Sequence, residues 1–293
     1  MKKVEHKDLD KHAWDKCIRK SDNENIFMYS WYLDAVAPGW EGLIQDDYSG
    51  VFPLTTKTQL GKSSLFQPIF TREFEPFGTL PLKVVLEYLD SEFNHALFRT
   101  SIQIEQSEKR VHQIIELEKE FKLKTNAKRI LKKSVTLFEI REANDPKELI
   151  KLFQDTAYTK IDSLGSQELE RLETLMNTAL KNDAGKLKYI YKKNKCVGGA
   201  FFLLDKSRIT LLKSACLDEA KREGAMYQLI NQTIQESKEN YKTFDFGGSN
   251  VSAVREFYLK FGATDREYFE ITIGKEPGWK KKAKSLLKRV KKK

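Results

Sequence analysis

Residues 241–263, YKTFDFGGSNVSAVREFYLKFGA, carry the pattern that decides the fold. Residues 243–246 form a short run of aromatic and β-favouring residues that is typical of a buried strand. Gly247-Gly248 follows, and glycine adopts the positive φ angles that let another segment or a ligand approach the backbone closely. Ser249 or Asn250 then caps the helix that comes next. The stretch predicts a strand, a tight glycine turn and a helix.

A second strand, loop and helix are predicted over residues 211–230, LLKSACLDEAKREGAMYQLI. The strand ends near Ala215, and a helix begins at Gly224-Ala225 after a polar loop. Free N–H groups at such a helix start can bind a phosphate, helped by neighbouring cations. A lysine at the strand end can also bind a phosphate, although surface lysines are common. The candidate residues of this stretch for binding a phosphate-containing donor molecule are Lys213, Ser214, Lys221, Arg222, Gly224 and Ala225.

Two parts of the chain resemble each other. Residues 50–58, GVFPLTTKT, align with residues 199–207, GAFFLLDKS, and four of the nine positions are identical. Each segment lies on a predicted strand directly after a hairpin turn, so the second half of the chain is predicted to repeat the first. Two apolar hairpin strands can also match this well by chance. We expect an α/β protein with a mixed sheet, built from two tandem units.

Several of these segments resemble the acyl-CoA N-acyltransferase (GNAT) superfamily. Arg222-Glu-Gly224-Ala225 resembles its pyrophosphate loop, and Asn250-Val-Ser-Ala253 with Tyr258-Leu-Lys-Phe-Gly262 resembles its late helix. Asp245–Asn250, DFGGSN, resembles more narrowly the FemAB-like branch of peptidoglycan interpeptide-bridge aminoacyltransferases. The basic segment at residues 125–133 and the loop at residues 67–78 also resemble that branch. The pyrophosphate loop departs from the pattern, because Ala225 stands where a second glycine is expected.

The resemblance implies an organisation and a reaction. It implies two GNAT-like units: a degenerate one at residues 1–134 on the acceptor side, and one at residues 135–275 with the donor motifs. A basic tail at residues 276–293 follows. The implied reaction is the transfer of an acyl or aminoacyl group to an amine, such as one on a cell-envelope precursor. The implied donor is acyl-CoA, for example acetyl-CoA, or alternatively aminoacyl-tRNA, and no metal is required.

The same resemblance implies roles for individual residues. Tyr258 would protonate the leaving group, or else pack half-buried between helix and sheet. Asp245 would act as a base, or else make only turn hydrogen bonds within its own loop. Asn250 would contact the donor. On the acceptor side we name Tyr29, Trp31 and Gln67, although aromatic residues at this spacing are more often core.

Charge is concentrated at one end of the chain. The sequence has 52 Lys and Arg against 42 Asp and Glu, but nine of these cations lie within Lys280–Lys293. The remainder is nearly neutral, which argues against a nucleic-acid coat protein. The tail is predicted to bind an anionic membrane surface or a tRNA, or to be a solvated end. A non-catalytic module that binds a polyanion or membrane through this tail is the alternative function.

Other features indicate where the protein acts. The chain shows no signal peptide, no apolar run long enough to span a membrane, and three cysteines without metal-site spacing. We expect a cytoplasmic protein, peripheral at the inner face of the membrane where the tail binds lipid.

Overall fold

A computed structural model describes residues 1–45, 47–59, 62–156, 165–248 and 252–274. The predicted tail and Asn250 lie outside these residues. The strands in the described part are β1 Lys2–Val4, β2 Glu41–Ile44, β3 Gly50–Leu54, β4 Thr56–Gln59, β5 Lys62–Leu65, β6 Phe77–Gly78, β7 His95–Thr100, β8 Glu108–Glu116, β9 Glu139–Ala143, β10 Gly185–Lys192, β11 Lys195–Leu204, β12 Arg208–Cys216, β13 Thr243–Asp245 and β14 Thr264–Gly274. The α-helices are α1 Lys11–Lys20, α2 Ser30–Val36, α3 Leu82–Glu92, α4 Thr125–Ser134, α5 Lys147–Thr156, α6 Ser166–Lys181, α7 Asp218–Arg222, α8 Ala225–Ser237 and α9 Ser252–Leu259.

The strands form two sheets. The smaller sheet has the order β1-β2-β3-β6, and the larger one has the order β4-β5-β7-β14-β8-β13-β12-β11-β10-β9. The pair β12–β13 is parallel and so is β5–β7, whereas the other pairs of the large sheet are antiparallel. The predicted α/β class with a mixed sheet is confirmed.

The order of elements is similar in the two halves of the chain. A strand, two helices and an antiparallel hairpin follow each other as β1-α1-α2-β2-β3 and again as β9-α5-α6-β10-β11. This order agrees with the interpretation of two related units. The large sheet takes strands from both, and β14 lies between β7 and β8. The boundary at residues 134 and 135 stays a prediction.

Helices cover the large sheet with two hydrophobic cores. One core joins α1, α2, α3, α5 and α6 to the sheet, and the other joins α4, α8 and α9 to it. Leu169, Leu172, Leu175 and Met176 of α6 recur at helical spacing and are all buried, as their pattern predicts. Within the described part, no helix has the length and apolar character needed to cross a bilayer.

The segment between β8 and β9 differs from the sequence-based expectation. The composition of residues 118–133 predicts a helix and that of residues 135–140 a strand, but α4 begins only at Thr125 and β9 only at Glu139. Leu117 donates its N–H to the Lys242 carbonyl, which keeps the chain extended after β8. The turn that follows α4 leaves Val135 and Leu137 exposed.

Candidate active site

Two parallel strands separate at the centre of the large sheet. Residues 208–210 of β12 pair with residues 243–245 of β13, where β13 ends, while β12 continues to Cys216. The register between β11 and β12 shifts by one residue, so Leu212 is an extra residue on β12. Such a bulge redirects side chains and backbone groups beside a site. The structure therefore opens a cleft along the unpaired edge of β12.

The end of β13 places Asp245 in a buried charged cluster. Arg72 Nη1 donates to Asp245 Oδ1 at 2.8 Å, and Arg72 Nη2 lies 2.7 Å from Oδ2 with poor alignment for a second hydrogen bond. His112 Nδ1 is 3.2 Å from Oδ1 and must carry a proton there, because a carboxylate only accepts. Asp245 is 0% exposed and Arg72 only 7%. The cluster joins the loop after β5 to the second half of the chain.

The charges of this cluster determine its protonation. Burial raises the pKa of the Asp245 carboxyl, but the charges of Arg72 and His112 outweigh burial and hold the pKa well below its usual range. Asp245 is therefore ionised and a weak base. It also accepts the N–H of Gly247 at 2.8 Å. A turn hydrogen bond of this kind is what we expect if Asp245 is not a base, and it favours a positioning role for this residue.

The glycine turn after Asp245 has the predicted backbone. Gly247 and Gly248 have φ angles of +73° and +76°. A Cβ on Gly247 would lie 2.5 Å from the Leu211 carbonyl oxygen, and one on Gly248 would lie 2.9 Å from the His112 Cβ. Both positions need glycine for its positive φ and for the close approach of a neighbouring strand.

Two cavities border the Arg72–Asp245 pair. The bulge cavity has a volume of about 190 Å³ and lies beside the separated strands. Its walls include Phe27, Phe70, Arg72, Leu212, Gly247 and Tyr268. The carboxylate cavity has a volume of about 230 Å³, and its walls include Asn23, Glu73, Glu75, His112, Arg208 and Asp245. Two small chambers thus border one buried ion pair.

Two glutamates in the carboxylate cavity have different environments. Burial raises the pKa of Glu73, but the charges of Arg72 and Arg208 reverse this effect and leave it below its usual value. Glu75 has a raised pKa, caused first by burial and then by the charge of Glu73. Its carboxylate accepts the N–H of Ser101 at 2.7 Å and forms no ion pair within the described residues. Two carboxyls whose pKa values are pushed apart are typical of an acid–base site.

Tyr258 lies on α9 against the end of β13. Its ring is 4.6 Å from the ring of Phe246, and the side chain is 8% exposed. Burial, followed by the charge of Asp245, raises the pKa of Tyr258 to about 12. The phenol remains protonated at physiological pH. Tyr258 is not among the lining residues of the bulge cavity or the carboxylate cavity, and its role as an acid stays a prediction.

Lys213 and Ser214 lie on β12 just after the bulge. Lys213 Nζ is 3.6 Å from the centroid of the Phe153 ring on α5 and forms no ion pair within the described residues. Burial lowers the pKa of Lys213 to about 8, so part of its population is neutral near pH ~8. Ser214 is half-buried.

The predicted pyrophosphate loop is covered by α4. Gly224 caps α8 with φ +96°, but a Cβ there would lie 2.6 Å from Ile130 Cγ2 and 3.2 Å from the Ser134 Cβ. The close approach at this glycine is thus made by another helix of the chain. Ala225 is fully buried, whereas Lys221 and Arg222 are exposed on α7. Donor binding at these four residues stays a prediction.

The three acceptor-side residues lie in two different places. Tyr29 and Trp31 stack at 6.4 Å and line a cleft of about 640 Å³ with residues 182–184 and 204–206. Gln67 lies in another cleft and donates to the Thr71 carbonyl at 2.9 Å. Neither cleft shares a lining residue with the bulge cavity or the carboxylate cavity. Their acceptor role stays a prediction.

Several site residues were missed by sequence reasoning. Arg72, Glu73 and Glu75 belong to the segment TREFEPFG at residues 71–78, which was noted only as a loop of the first unit. The alternation of charged and aromatic residues in it is a signal for a buried polar segment. His112 lies in β8, EKRVHQIIE, whose sequence carries no such signal. Within the described part, no group of three His, Cys, Asp or Glu side chains could hold a metal ion.

Comparisons with known proteins identify the fold. No protein-family model matches the sequence, and no curated protein matches it. FemX has a TM-score of 0.63 at 11% identity, with 92% of this chain and 97% of that chain covered. The C-terminal domain of a putative lysylphosphatidylglycerol synthetase from Agrobacterium fabrum has a TM-score of 0.59 at 13% identity, with 91% and 92% covered. L-PGS from Bacillus licheniformis has a TM-score of 0.51 at 16% identity, with 81% and 85% covered.

At these sequence identities the comparisons show the fold and not an activity. The first two cover nearly the whole chain, so the shared fold extends over both halves. The resemblance read from the DFGGSN stretch and the architecture found by structural comparison agree. The chain shares the fold of FemX and of the C-terminal domain of the putative lysylphosphatidylglycerol synthetase.

Proposed function

We propose that the protein is an aminoacyl or acyl transferase whose reaction takes place at the Arg72–Asp245 pair, between the bulge cavity and the carboxylate cavity. The observation that carries the proposal is the separation of β12 from β13, with the bulge at Leu212 beside a cavity. The fold shared with FemX and with a lysylphosphatidylglycerol synthetase domain supports the same reaction class.

The bulge cavity suits the acyl donor. Beyond Thr210, the edge of β12 that faces β13 has no strand partner within the described residues. Backbone groups on such an edge can bind an acyl carbonyl and the oxyanion that forms from it. The apolar side chains of Phe27, Phe70 and Leu212 can surround the acyl group. The donor is an acyl-CoA or an aminoacyl-tRNA.

The carboxylate cavity suits the amine acceptor. An amine attacks a carbonyl only when it has lost its extra proton. Glu75 is buried, has a raised pKa and forms no ion pair within the described residues, so it can bind an ammonium group and take its proton. The neutral nitrogen then forms a bond to the acyl carbon, and the donor leaves. The bonded nitrogen then loses its second proton and the leaving group gains one, a transfer that we assign to Tyr258, while Arg72 and Asp245 keep the two cavities in place.

The acceptor is then a primary amine, or another nucleophile with a removable proton, on an envelope precursor or a lipid. One structural neighbour is a domain of a putative lysylphosphatidylglycerol synthetase, which supports a lipid as one option. The cationic tail at Lys280–Lys293 would bring the enzyme to such a substrate or to a tRNA donor.

The test measures donor binding and acyl transfer by the full chain. Acetyl-CoA, longer acyl-CoAs and charged tRNA are screened by calorimetry, and transfer of the labelled acyl group to a panel of amines is followed. Replacing Glu75 by Gln or Tyr258 by Phe should lower kcat by about 10²–10⁴-fold, the range for loss of a general acid or base. The matched controls, Glu87→Gln and Tyr191→Phe, change exposed or half-exposed groups outside both cavities and should retain the parent kcat.

The proposal fails if no donor binds and no transfer is detected. Retained binding to anionic vesicles that disappears on deletion of residues 280–293 would then favour the alternative, a non-catalytic binding module. Transfer that persists unchanged in the Glu75 and Tyr258 variants would remove these two residues from the mechanism.

A further inference from the structure

One exposed surface combines cations with apolar side chains. Helix α4 packs on α8 through one face, where Ala127 and Ser134 are fully buried and Ile130 contacts Gly224. Its other face is exposed and cationic. The turn after α4 adds Val135 and Leu137, which are 60% and 43% exposed. We name this surface the α4 patch, and its members are Lys124, Lys128, Arg129, Lys132, Lys133, Val135 and Leu137.

The cations of the α4 patch are not neutralised by the protein. None of the five forms an ion pair with a carboxylate among the described residues, whereas Lys109, Lys186, Lys188 and Lys192 of the large sheet each do. The next carboxylate along the chain, Glu139, is occupied by Arg141 at 2.6 Å. On the neighbouring helix α7, Asp218 and Glu219 are balanced by two cations of the same helix. The patch therefore has a net positive charge.

The two apolar side chains are unusual in this position. The described residues include only five large hydrophobic side chains that are strongly exposed, and two of them lie next to these cations. Exposed apolar groups beside a charged surface mark interaction sites. Lipid bilayers satisfy both features, because anionic headgroups attract Lys and Arg while apolar side chains enter the acyl boundary. An RNA would use the cations but would gain nothing from Val135 and Leu137.

We infer that the α4 patch is a docking surface for an anionic phospholipid bilayer. The cations contact the headgroups, and Val135 and Leu137 insert at the level of the first acyl carbons. None of its residues belongs to the C-terminal tail or lines either cavity. It orients the protein with the N-terminal end of α8 toward the membrane, since α4 covers that end.

The test compares binding of the full-length chain to vesicles by co-sedimentation. The vesicles contain phosphatidylcholine alone or phosphatidylcholine with phosphatidylglycerol. Replacing Lys128 and Lys132 by Ala should weaken binding to the anionic vesicles by about 25-fold, from ~1 kcal/mol per cation and tenfold per 1.4 kcal/mol. Replacing Val135 and Leu137 by Ser should weaken it by about tenfold, because each side chain is already partly buried in the protein. The tail is present in every variant, so its contribution cancels in the ratios.

Control substitutions change the same residue types elsewhere. Lys151→Ala with Lys181→Ala removes two exposed cations from α5 and α6, on the opposite side of the large sheet. Ile69→Ser with Ile102→Ser removes two apolar side chains that are 39% and 38% exposed. Both double variants should bind within about twofold of the parent. Circular dichroism checks that each variant is folded.

Two results would overturn the inference. In the first, both α4-patch variants bind anionic vesicles as the parent does. In the second, the Lys128 and Lys132 changes weaken binding to vesicles and to tRNA alike, while the Val135 and Leu137 changes have no effect on vesicles. The second result would assign the surface to a nucleic acid. Neither outcome depends on whether the protein transfers an acyl group.

Discussion

Replacing Arg72 by Met is expected to destabilise the folded protein strongly. The guanidinium holds Asp245 at 2.7 and 2.8 Å and donates from Nε to Glu73 at 3.1 Å. Asp245 is 0% exposed, so the substitution leaves its charge buried with His112, the Gly247 N–H and the more distant Arg208, whose Nη1 is 3.6 Å from Oδ2. Removing one partner of a buried ion pair costs about 3–5 kcal/mol of unfolding free energy.

The loss should depend on pH in a defined direction. In the parent, the pKa of Asp245 lies well below its usual range, so its ionised form stabilises the protein above the unfolded pKa of about 3.9. That contribution disappears as the pH falls through the folded pKa. Without Arg72, burial is opposed only by His112, Arg208 and the Gly247 N–H, so the folded pKa of Asp245 rises. The variant then takes up a proton sooner, so the cost of the substitution is largest near neutral pH and decreases toward pH ~5.

Urea unfolding followed by circular dichroism at two pH values measures this effect. The matched control is Arg141→Met, which breaks the contact with Glu139 between side chains that are 43% and 61% exposed and should cost about 0–1 kcal/mol. Changing Asp245 to Asn in the Arg72→Met background should recover part of the loss, since the uncompensated charge is removed. The reasoning is refuted if Arg72→Met costs no more than Arg141→Met, or if its cost grows as the pH falls.

Three further predictions concern individual positions. Gly224→Ala should lower the free energy of unfolding by about 1–3 kcal/mol more than Gly39→Ala does, because of steric overlap. Both glycines have positive φ, but only a Cβ on Gly224 would meet another atom, Ile130 Cγ2 at 2.6 Å. Equal melting temperatures of the two variants would contradict this. Glu75→Gln should raise the free energy of unfolding near pH ~7–8 and lower the activity. The reason is that the pKa of Glu75 is raised in the folded protein, so its ionisation destabilises the fold as the pH rises. A Gln variant that is less stable than the parent would refute this. Lys213 has its pKa lowered to about 8, so the parent should gain stability between pH ~8 and ~10.5, and Lys213→Met should abolish that slope in urea titrations.

The strand, glycine turn and helix of the DFGGSN region could be predicted because the evidence for them is local. A short aromatic strand followed by two glycines leaves few conformations, and both glycines have the positive φ angles that were expected. The helix predicted from residue 118 was wrong at its start for a non-local reason. Lys124 donates its N–H to the Lys260 carbonyl, and this contact fixes where α4 begins.

The site could be predicted only in part. Asp245 and Tyr258 were named from their motif, and their roles stay predictions; the Tyr258 ring packs on Phe246, the residue that follows Asp245. Arg72 is 173 residues before Asp245 in the chain, and no pattern around it indicates that partner. The charged and aromatic alternation around Glu75 indicates a buried polar segment, but its raised pKa arises from burial next to Glu73, which only the structure shows. The pyrophosphate loop was recognisable by its sequence, but only the structure shows α4 lying across Gly224.

The sequence by itself determined the α/β class, the tight turn after β13 and the separation of a nearly neutral body from a cationic end. These features depend on the spacing of apolar residues, on the φ freedom of glycine and on composition, and all three can be read along the chain. The tertiary structure alone decided which charges are buried together. Asp245 has a lowered pKa and Glu75 a raised one because their neighbours differ. Many of these neighbours belong to distant segments that only the folded chain brings together.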